Sequence, residues 1–286
     1  MKPRISVVIN TLNEEKNLSF ALRSVQPWAD EIVVVDMYST DRTVEVARKF
    51  GAQVHFNRGP GFNYAPRAFA VNQASSEWIL VVDADELIPV ALSHDLRRVA
   101  ESSETDVVLI PRTNYMLGGV IRYTGCGATQ DSQVRFFRKG SVVASSLAHQ
   151  DFKPVTGARV KMLPYRGDNA IVHFTYVDSQ QFIERLNRYT SIEAMQGFER
   201  GERITPLGAL VKAAKHFGAR YILWRGFQDG WRGLYLSLFY AFYKIVMAAK
   251  LQELTVRRPE QIESWYRQEA EGILKTYCES QSAAAS

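Results

Sequence analysis

The first 110 residues alternate short β-rich apolar runs with stretches of helical spacing, and this constrains the fold more than any other feature of the chain. The segments RISVVIN (Arg4–Asn10), EIVVVD (Glu31–Asp36), AQVHF (Ala52–Phe56), WILVVD (Trp78–Asp83) and DVVLI (Asp106–Ile110) read as strands. The runs at 5–9 and 32–35 are continuously apolar, as strands covered on both faces must be. Between them NLSFALRSV, DRTVEVARKF, APRAFAVNQAS and PVALSHDLRRVAES carry helical periodicity, with Asp41 placed to cap the second and Pro89 suited to the first turn of the fourth. Strands alternating with helices imply an α/β fold with a mostly parallel, doubly wound sheet and right-handed crossovers.

In such sheets ligands bind outside the carboxyl ends of the strands. Asn10, Asp36 and Asp83 all fall at predicted strand ends, so one crevice should receive all three. No glycine-rich fingerprint accompanies them: NTLNEE follows the first strand, and GPGFNY (Gly59–Tyr64) follows the third. The chain therefore aims carboxylates at its ligand, most densely in WILVVDADELIP (Trp78–Pro89), where Asp83, Asp85 and Glu86 leave the strand together. If the chain turns directly after the strand, one carboxylate can bind a hard cation while another meets a different part of the same ligand. A phosphorylated ligand needs such a cation there, because bare carboxylates would repel it. The plainer alternative is that the acids only favour the start of the next helix.

After about Pro111 the pattern changes to Gly-, Tyr- and Arg-rich stretches with short strands such as SQVRFFRKG (Ser132–Gly140), and from Ser179 it becomes helical. Helices are expected over 179–197, 206–250 with breaks near Gly218 and Gly230, and 259–277. The expected organisation is 1–110, 111–178, a helical extension over 179–280, and a disordered tail over 281–286. The net charge of +5 is local: Arg203–Gln252 holds eight Lys/Arg against Asp229 alone, a segment charge of +7 that leaves the rest at −2. No nucleic-acid-binding motif accompanies it, so no nucleic-acid partner is expected. Cys126 and Cys278 fit no metal or redox spacing and suit a reducing cytoplasm. The N-terminus turns polar after one short apolar run, unlike a secretion signal.

SVVINTLNEEKNL, VVVDMYSTDRT, the Arg67 region and LVVDADE resemble, in order and spacing, the nucleotide-sugar half of family 2 glycosyltransferases of the GT-A (Rossmann-like) fold. The likeness continues through DSQVRFFRKG, LAHQ, IVHFTYVDSQQFIERLNRYTSIEA and DGWRGLYLSLFYAFYKIVMAAKLQE, and is nearest to the subgroup acting on the lipopolysaccharide core. The resemblance implies an inverting, Mg²⁺- or Mn²⁺-dependent transfer of a hexose from a nucleotide-diphosphate sugar, a UDP-sugar by preference, to a glycolipid or lipid-linked saccharide. It implies that Thr11, Asn13 and Glu14 line the nucleotide pocket, that Asp36 binds base or ribose, and that Arg67 lies near the diphosphate. Asp83 would face the ribose and metal shell, and Asp85 would ligate the cation. The chain departs from the family pattern at Met37 and Tyr38, at Pro66-Arg67-Ala68, and at Ala148-His149-Gln150.

An inverting transfer needs a general base from the acceptor half. Asp131 is chosen, with Asp151 as runner-up. His149 is the choice for a further metal ligand, and His173 is weighed for the same role; Tyr176 and Arg188 are weighed as acceptor contacts. Apolar side chains at helical spacing between Leu207 and Ile245, accompanied by Lys and Arg, form a basic, aromatic-rich stripe suited to an anionic membrane surface. Gly233–Ala249, 17 residues interrupted by Lys244, is short for a span. The expected location is cytoplasmic, peripheral at the inner face of the cytoplasmic membrane, and a homo-oligomer is compatible with the same stripe. The alternatives are a sugar-1-phosphate nucleotidyltransferase, and a noncatalytic membrane-surface adaptor that kept the fold.

Overall fold

A computed structural model describes residues 2–57, 64–102, 104–144, 152–256 and 259–284. In chain order the elements are β1 (Ile5–Thr11), α1 (Leu18–Val25), β2 (Glu31–Asp36), α2 (Thr43–Lys49), β3 (Gln53–Phe56), α3 (Tyr64–Gln73), β4 (Trp78–Asp83), β5 (Glu86–Leu87) and α4 (Val90–Glu101). There follow β6 (Val107–Met116), β7 (Gly119–Val120), β8 (Ser132–Arg138), β9 (Val142–Ala144), β10 (Phe152–Pro154), β11 (Val160–Met162) and β12 (Ile171–Tyr176). The last are α5 (Ser179–Glu199), α6 (Pro206–Gly218), a π turn (Ala219–Leu223), a 3-10 turn (Gly226–Asp229), α7 (Gly230–Val256) and α8 (Pro259–Ala284).

Among the described residues ten strands form one sheet, ordered β3-β2-β1-β4-β8-β6-β12-β5, with β7 and β11 also on β6. The first four are mutually parallel, while β8 enters antiparallel between β4 and β6. The result is the expected α/β class, a GT-A-like mixed sheet, with the antiparallel strands in the half where the sequence pattern changed. β1 shows why a continuous apolar run was the right signal. Val7 and Ile9 pack in one cluster with Leu18, Leu22 and Leu92, and the intervening Val8 packs in another with Ala70 and Ile79. Both faces of the strand are thus covered by helices.

Asp41 accepts a hydrogen bond from the backbone N of Thr43 (3.0 Å), the first residue of α2. Pro89 lies one residue earlier than expected, at the N-cap of α4. The breaks foreseen near Gly218 and Gly230 separate α6 from α7. The tail was expected to be disordered from 281, but α8 continues to Ala284, in keeping with the helix propensity of its alanines.

The chain divides into two compact units, one of residues 1–181 with 220–236, the other of residues 182–219 with 237–286. The expected boundary at 179 nearly coincides with the first break, but 220–236 returns to the first unit rather than staying in a separate extension. Its anchors are polar, which hydrophobic periodicity does not register. In the second unit α5 and α7 pair through Phe182 on Phe239 and Tyr240, and Tyr243 donates to Glu193 (2.9 Å). Lys250 donates to Asn187, Thr190 and Ser191. By length and composition Gly226–Val256 is apolar enough to cross a membrane, longer than the run read from sequence.

Candidate active site

The parallel register sets Thr11 beside Asp36 and Asn10 beside Asp83, so the predicted strand ends do share one crevice. The loops after β1 and β2 are laced together there. The backbone N of Asn13 donates to Ser39 Oγ (2.8 Å), and Asn13 Oδ1 accepts from the backbone N of Thr40 (2.8 Å). Glu14 N donates to Thr43 Oγ1 (2.8 Å), while its carboxylate accepts from Asn17 Nδ2 (2.8 Å). Asn13 adopts φ 57°, a left-handed conformation that Asn tolerates. Asp36 is fully buried and takes bonds from Ser39 N (2.8 Å), Ser39 Oγ (2.6 Å) and Thr11 Oγ1 (3.0 Å). Asp36 and Thr11 thus brace the crevice from below. Among the described residues, the amide atoms of Asn10 are buried without a hydrogen-bond partner beside Asp83, at the bottom of the same crevice.

The chain turns at Ala84 and Asp85, and Glu86 closes that turn by accepting from the backbone N of Asp83 (2.9 Å). Asp83 is held between Arg67 of α3, on Oδ1, and Arg135 of β8, on Oδ2 (2.8 Å). Burial pushes its carboxyl up, but these two guanidiniums override it and hold the group well below the usual carboxylate range. Glu86 is buried and pairs with Arg112 (3.2 Å) and Arg135 (3.6 Å). Arg112 also pairs with Asp131 Oδ2 (2.9 Å). Asp131 accepts from Asn114 Nδ2 (2.8 Å) and Gln133 Nε2 (2.5 Å) as well. Burial raises the Asp131 carboxyl, and Arg112 with those hydrogen bonds brings it below its ordinary value, so Asp131 is ionised at neutral pH.

Asn114 joins this chain of charges to Asp85. Its Nδ2 is spent on Asp131 and on the carbonyl of Cys126 (2.8 Å), which leaves Oδ1 as an acceptor facing His173 Nδ1 (2.7 Å). Nδ1 of His173 then donates to it, and in the neutral ring Nε2 is the nitrogen left with a lone pair. That Nε2 lies 3.6 Å from Asp85 Oδ1. Asp85 and the neutral ring of His173 are the side chains that would hold a divalent cation here. The donor set also suits Mn²⁺, which accepts imidazole with carboxylate. Among the described residues no third His, Cys, Asp or Glu joins this pair. The paired network brings together four carboxylates, of Asp83, Asp85, Glu86 and Asp131, and three guanidiniums, of Arg67, Arg112 and Arg135. That set is one charge negative, and a divalent cation reverses its sign toward an anionic ligand.

The sequence reading thus brought Arg67, Asp83, Asp85 and Asp131 into one network. His149, chosen as the further ligand, and Asp151, the alternative base, lie outside the described residues; His173 faces Asp85. Tyr176 ends β12, and Arg188, exposed on α5, belongs to the other unit. Sequence reasoning singled out Glu86 without giving it a role, and missed Arg112, Asn114 and Arg135; the last three complete the network. A signal existed for two of them, since Arg112 and Asn114 stand at i and i+2 on a strand and so share a face.

Residues 6–141 match the family model described as Glycosyl transferase family 2. The lipopolysaccharide core biosynthesis glycosyltransferase LpsC of Rhizobium meliloti is 28% identical over 262 residues, covering 87% of this chain and 92% of LpsC. An uncharacterized glycosyltransferase of Rickettsia typhi is 26% identical over 265 residues, covering 89% and 88%. Among solved structures, Staphylococcus aureus TarS 1–349 aligns with a TM-score of 0.45 at 16% identity, over 93% of this chain and 92% of that one. The chain carries a family 2 glycosyl transferase domain over residues 6–141, and the protein is a glycosyltransferase.

Proposed function

We propose that the protein is an inverting, Mg²⁺- or Mn²⁺-dependent hexosyltransferase that uses a nucleotide-diphosphate sugar, preferentially a UDP-sugar, and a glycolipid or lipid-linked saccharide acceptor. The observation that carries the metal reading is the hydrogen-bonding of His173, whose Nδ1 is committed to Asn114 while Nε2 faces Asp85 Oδ1 at 3.6 Å. Asp85 and His173 are the ligands in this reading, in place of Asp85 and His149. A cation held by Asp85 and His173 would supply positive charge that offsets the negative charge developing on the leaving nucleotide. Arg67 and Arg135 hold Asp83 ionised behind it, and the orphaned amide of Asn10 has a partner to gain from the donor.

Asp131 is the base. It removes the acceptor hydroxyl proton as that oxygen bonds to the anomeric carbon and the bond to the diphosphate breaks, a single displacement that inverts the centre. Arg112, Asn114 and Gln133 keep it charged and aimed, at some cost in basicity. The acceptor class rests on LpsC, a relative named for lipopolysaccharide core biosynthesis, and on the basic, aromatic stretch 205–250, which suits the inner face of an anionic membrane. The site chemistry is tested with a panel of nucleotide sugars in Mn²⁺, scoring donor-dependent thermal stabilisation and nucleotide release. Asp85→Ala and His173→Ala should each lose the metal-dependent stabilisation. Asp131→Asn should keep it while turnover falls by roughly 10²-fold or more. Wild-type turnover by Asp85→Ala in the same buffer would remove the metal assignment.

A further inference from the structure

The link between α6 and α7 has two sides with different chemistry. Its inner side is hydrogen-bonded to the loop that runs from Ile121 to Asp131. Asp229, the lone acid of the basic segment, accepts from Arg122 N (2.9 Å), Tyr123 N (3.0 Å) and Thr124 Oγ1 (2.7 Å). Arg220 donates to the carbonyl of Thr124 (2.7 Å), and Thr124 N donates to the carbonyl of Trp224 (3.2 Å). Arg232 donates to the carbonyls of Leu117 (2.9 Å) and Gly118 (3.1 Å). The Trp224 ring covers Gly125 so closely that a Cβ there would lie 2.3 Å from it. The far end of this loop is fixed to the catalytic network, since Asn114 holds both the Cys126 carbonyl and Asp131.

The outer side is apolar and bare. Ile222, Leu223, Phe227 and Trp231 are 61%, 76%, 50% and 55% exposed within ten residues of chain. Guanidiniums border them: Arg225 lies over the Tyr123 ring (5.7 Å) and Arg232 over the Trp231 ring (4.7 Å), with Arg122 exposed alongside. The one carboxylate in the link is occupied by its three donors, so the outward charge is positive. Bare aliphatic and indole side chains set among guanidiniums match the boundary between acyl chains and anionic headgroups.

We infer that residues 222–231 are an insertion tip for an anionic phospholipid bilayer. Through Asp229 and Arg220 the tip is seated on the loop that carries Asp131, and Arg232 ties it to Leu117 and Gly118 at the turn between β6 and β7, so the base is presented to saccharides anchored in that bilayer. The tip deepens the membrane part of the proposed function by narrowing it to ten residues, and the second half of the inference rests also on the assignment of Asp131 there.

The test uses the full-length protein and vesicles without any sugar donor, so it reads the tip independently of glycosyl transfer. The wild type should sediment with phosphatidylcholine vesicles containing phosphatidylglycerol and much less with phosphatidylcholine alone. Salt should weaken that binding without abolishing it, because apolar insertion survives screening. Leu223→Glu/Phe227→Glu alters exposed positions outside the hydrogen-bonded anchors and should lower the partition coefficient by about 10-fold or more, from the lost burial of two large side chains. An unchanged circular dichroism spectrum and thermal midpoint establish that this variant is folded. Binding of the folded double variant at wild-type strength would overturn the tip. So would a wild-type protein that ignores phosphatidylglycerol vesicles at low salt, or a Leu207→Glu/Leu210→Glu variant of α6 that alone loses binding.

Discussion

Tyr38 holds φ 65°, a conformation that costs a bulky residue on the order of 1–2 kcal/mol, and leaves its ring 51% exposed. The strained turn brings Ser39 back onto Asp36, and it sets the Tyr38 ring 5.5 Å from that of Phe56. Leu12 is also exposed, so the carboxyl ends of three neighbouring strands offer an apolar floor beside the crevice. A planar base is the part of a nucleotide such a floor fits. Tyr38→Gly should therefore stabilise the free protein by up to about 1 kcal/mol, read as a higher thermal midpoint, because glycine adopts this φ without penalty and its greater unfolded-state freedom offsets part of the gain. It should also weaken nucleotide-sugar binding in a titration. A fall in stability would mean that the ring is there to pack on Phe56. Other residues of the site differ in how far the sequence betrays them. Asp83, Asp85 and Asp131 are legible because a carboxylate at a strand end or after a glycine-rich turn has few structural duties. Arg112, Asn114 and Arg135 are not, because their partners arrive from β4, β5 and β12, and nothing local records that meeting. The sequence put His149 ahead of His173; His149 lies outside the described residues, and His173 is the one whose ring Asn114 is seen to orient.

The helices and parallel strands of the first half follow from period and composition, since each buries a face whose spacing is written in its own residues. β6 was harder. The apolar run ends at Ile110, yet the strand continues to Met116, because PRTNYM pairs with β12 and turns Arg112 and Asn114 toward the site. The link before α7 shows a second limit: its breaks at Gly218 and Gly230 are legible, but the reason for its glycines is a close approach. A Cβ on Gly233 would lie 1.8 Å from the carbonyl oxygen of Gly226, where the first turn of α7 crosses the 3-10 turn. Gly218, at the end of α6, has open space around it. Gly233→Ala should cost about 1–3 kcal/mol by overpacking, whereas Gly218→Ala should be neutral or stabilising by up to about 1 kcal/mol. Denaturant midpoints of the two variants, compared at equal m-value, decide it; equal effects would mean the crossing relaxes freely.

Carboxylates of lowered pKa are spread over the first unit. Hydrogen bonds from Arg159 bring Asp106 down to about 2, and Asp83, Asp95, Asp131, Glu31 and Asp41 are all shifted the same way. Each is more acidic folded than unfolded, so its contribution is complete above its ordinary value, 3.8 for the aspartates and 4.5 for Glu31, and is lost as pH falls through the lowered one, about 2 for Asp106. Thermal midpoints should be flat from neutrality to about pH 5 and fall steeply below about pH 4. A midpoint that rises on acidification would contradict the pairing. The same unit is discontinuous in the chain, closing only when residues 220–236 join 1–181. During synthesis the strands that carry Asp36, Asp83 and Asp85 are finished long before Asp229 is made. At roughly 5–20 residues per second the nascent chain spends on the order of seconds with the loop before Asp131 lacking its anchors. In that interval the crevice at the strand ends can assemble while the loop before Asp131 waits, so the order of translation itself delays the finished site until residues 220–236 have been made.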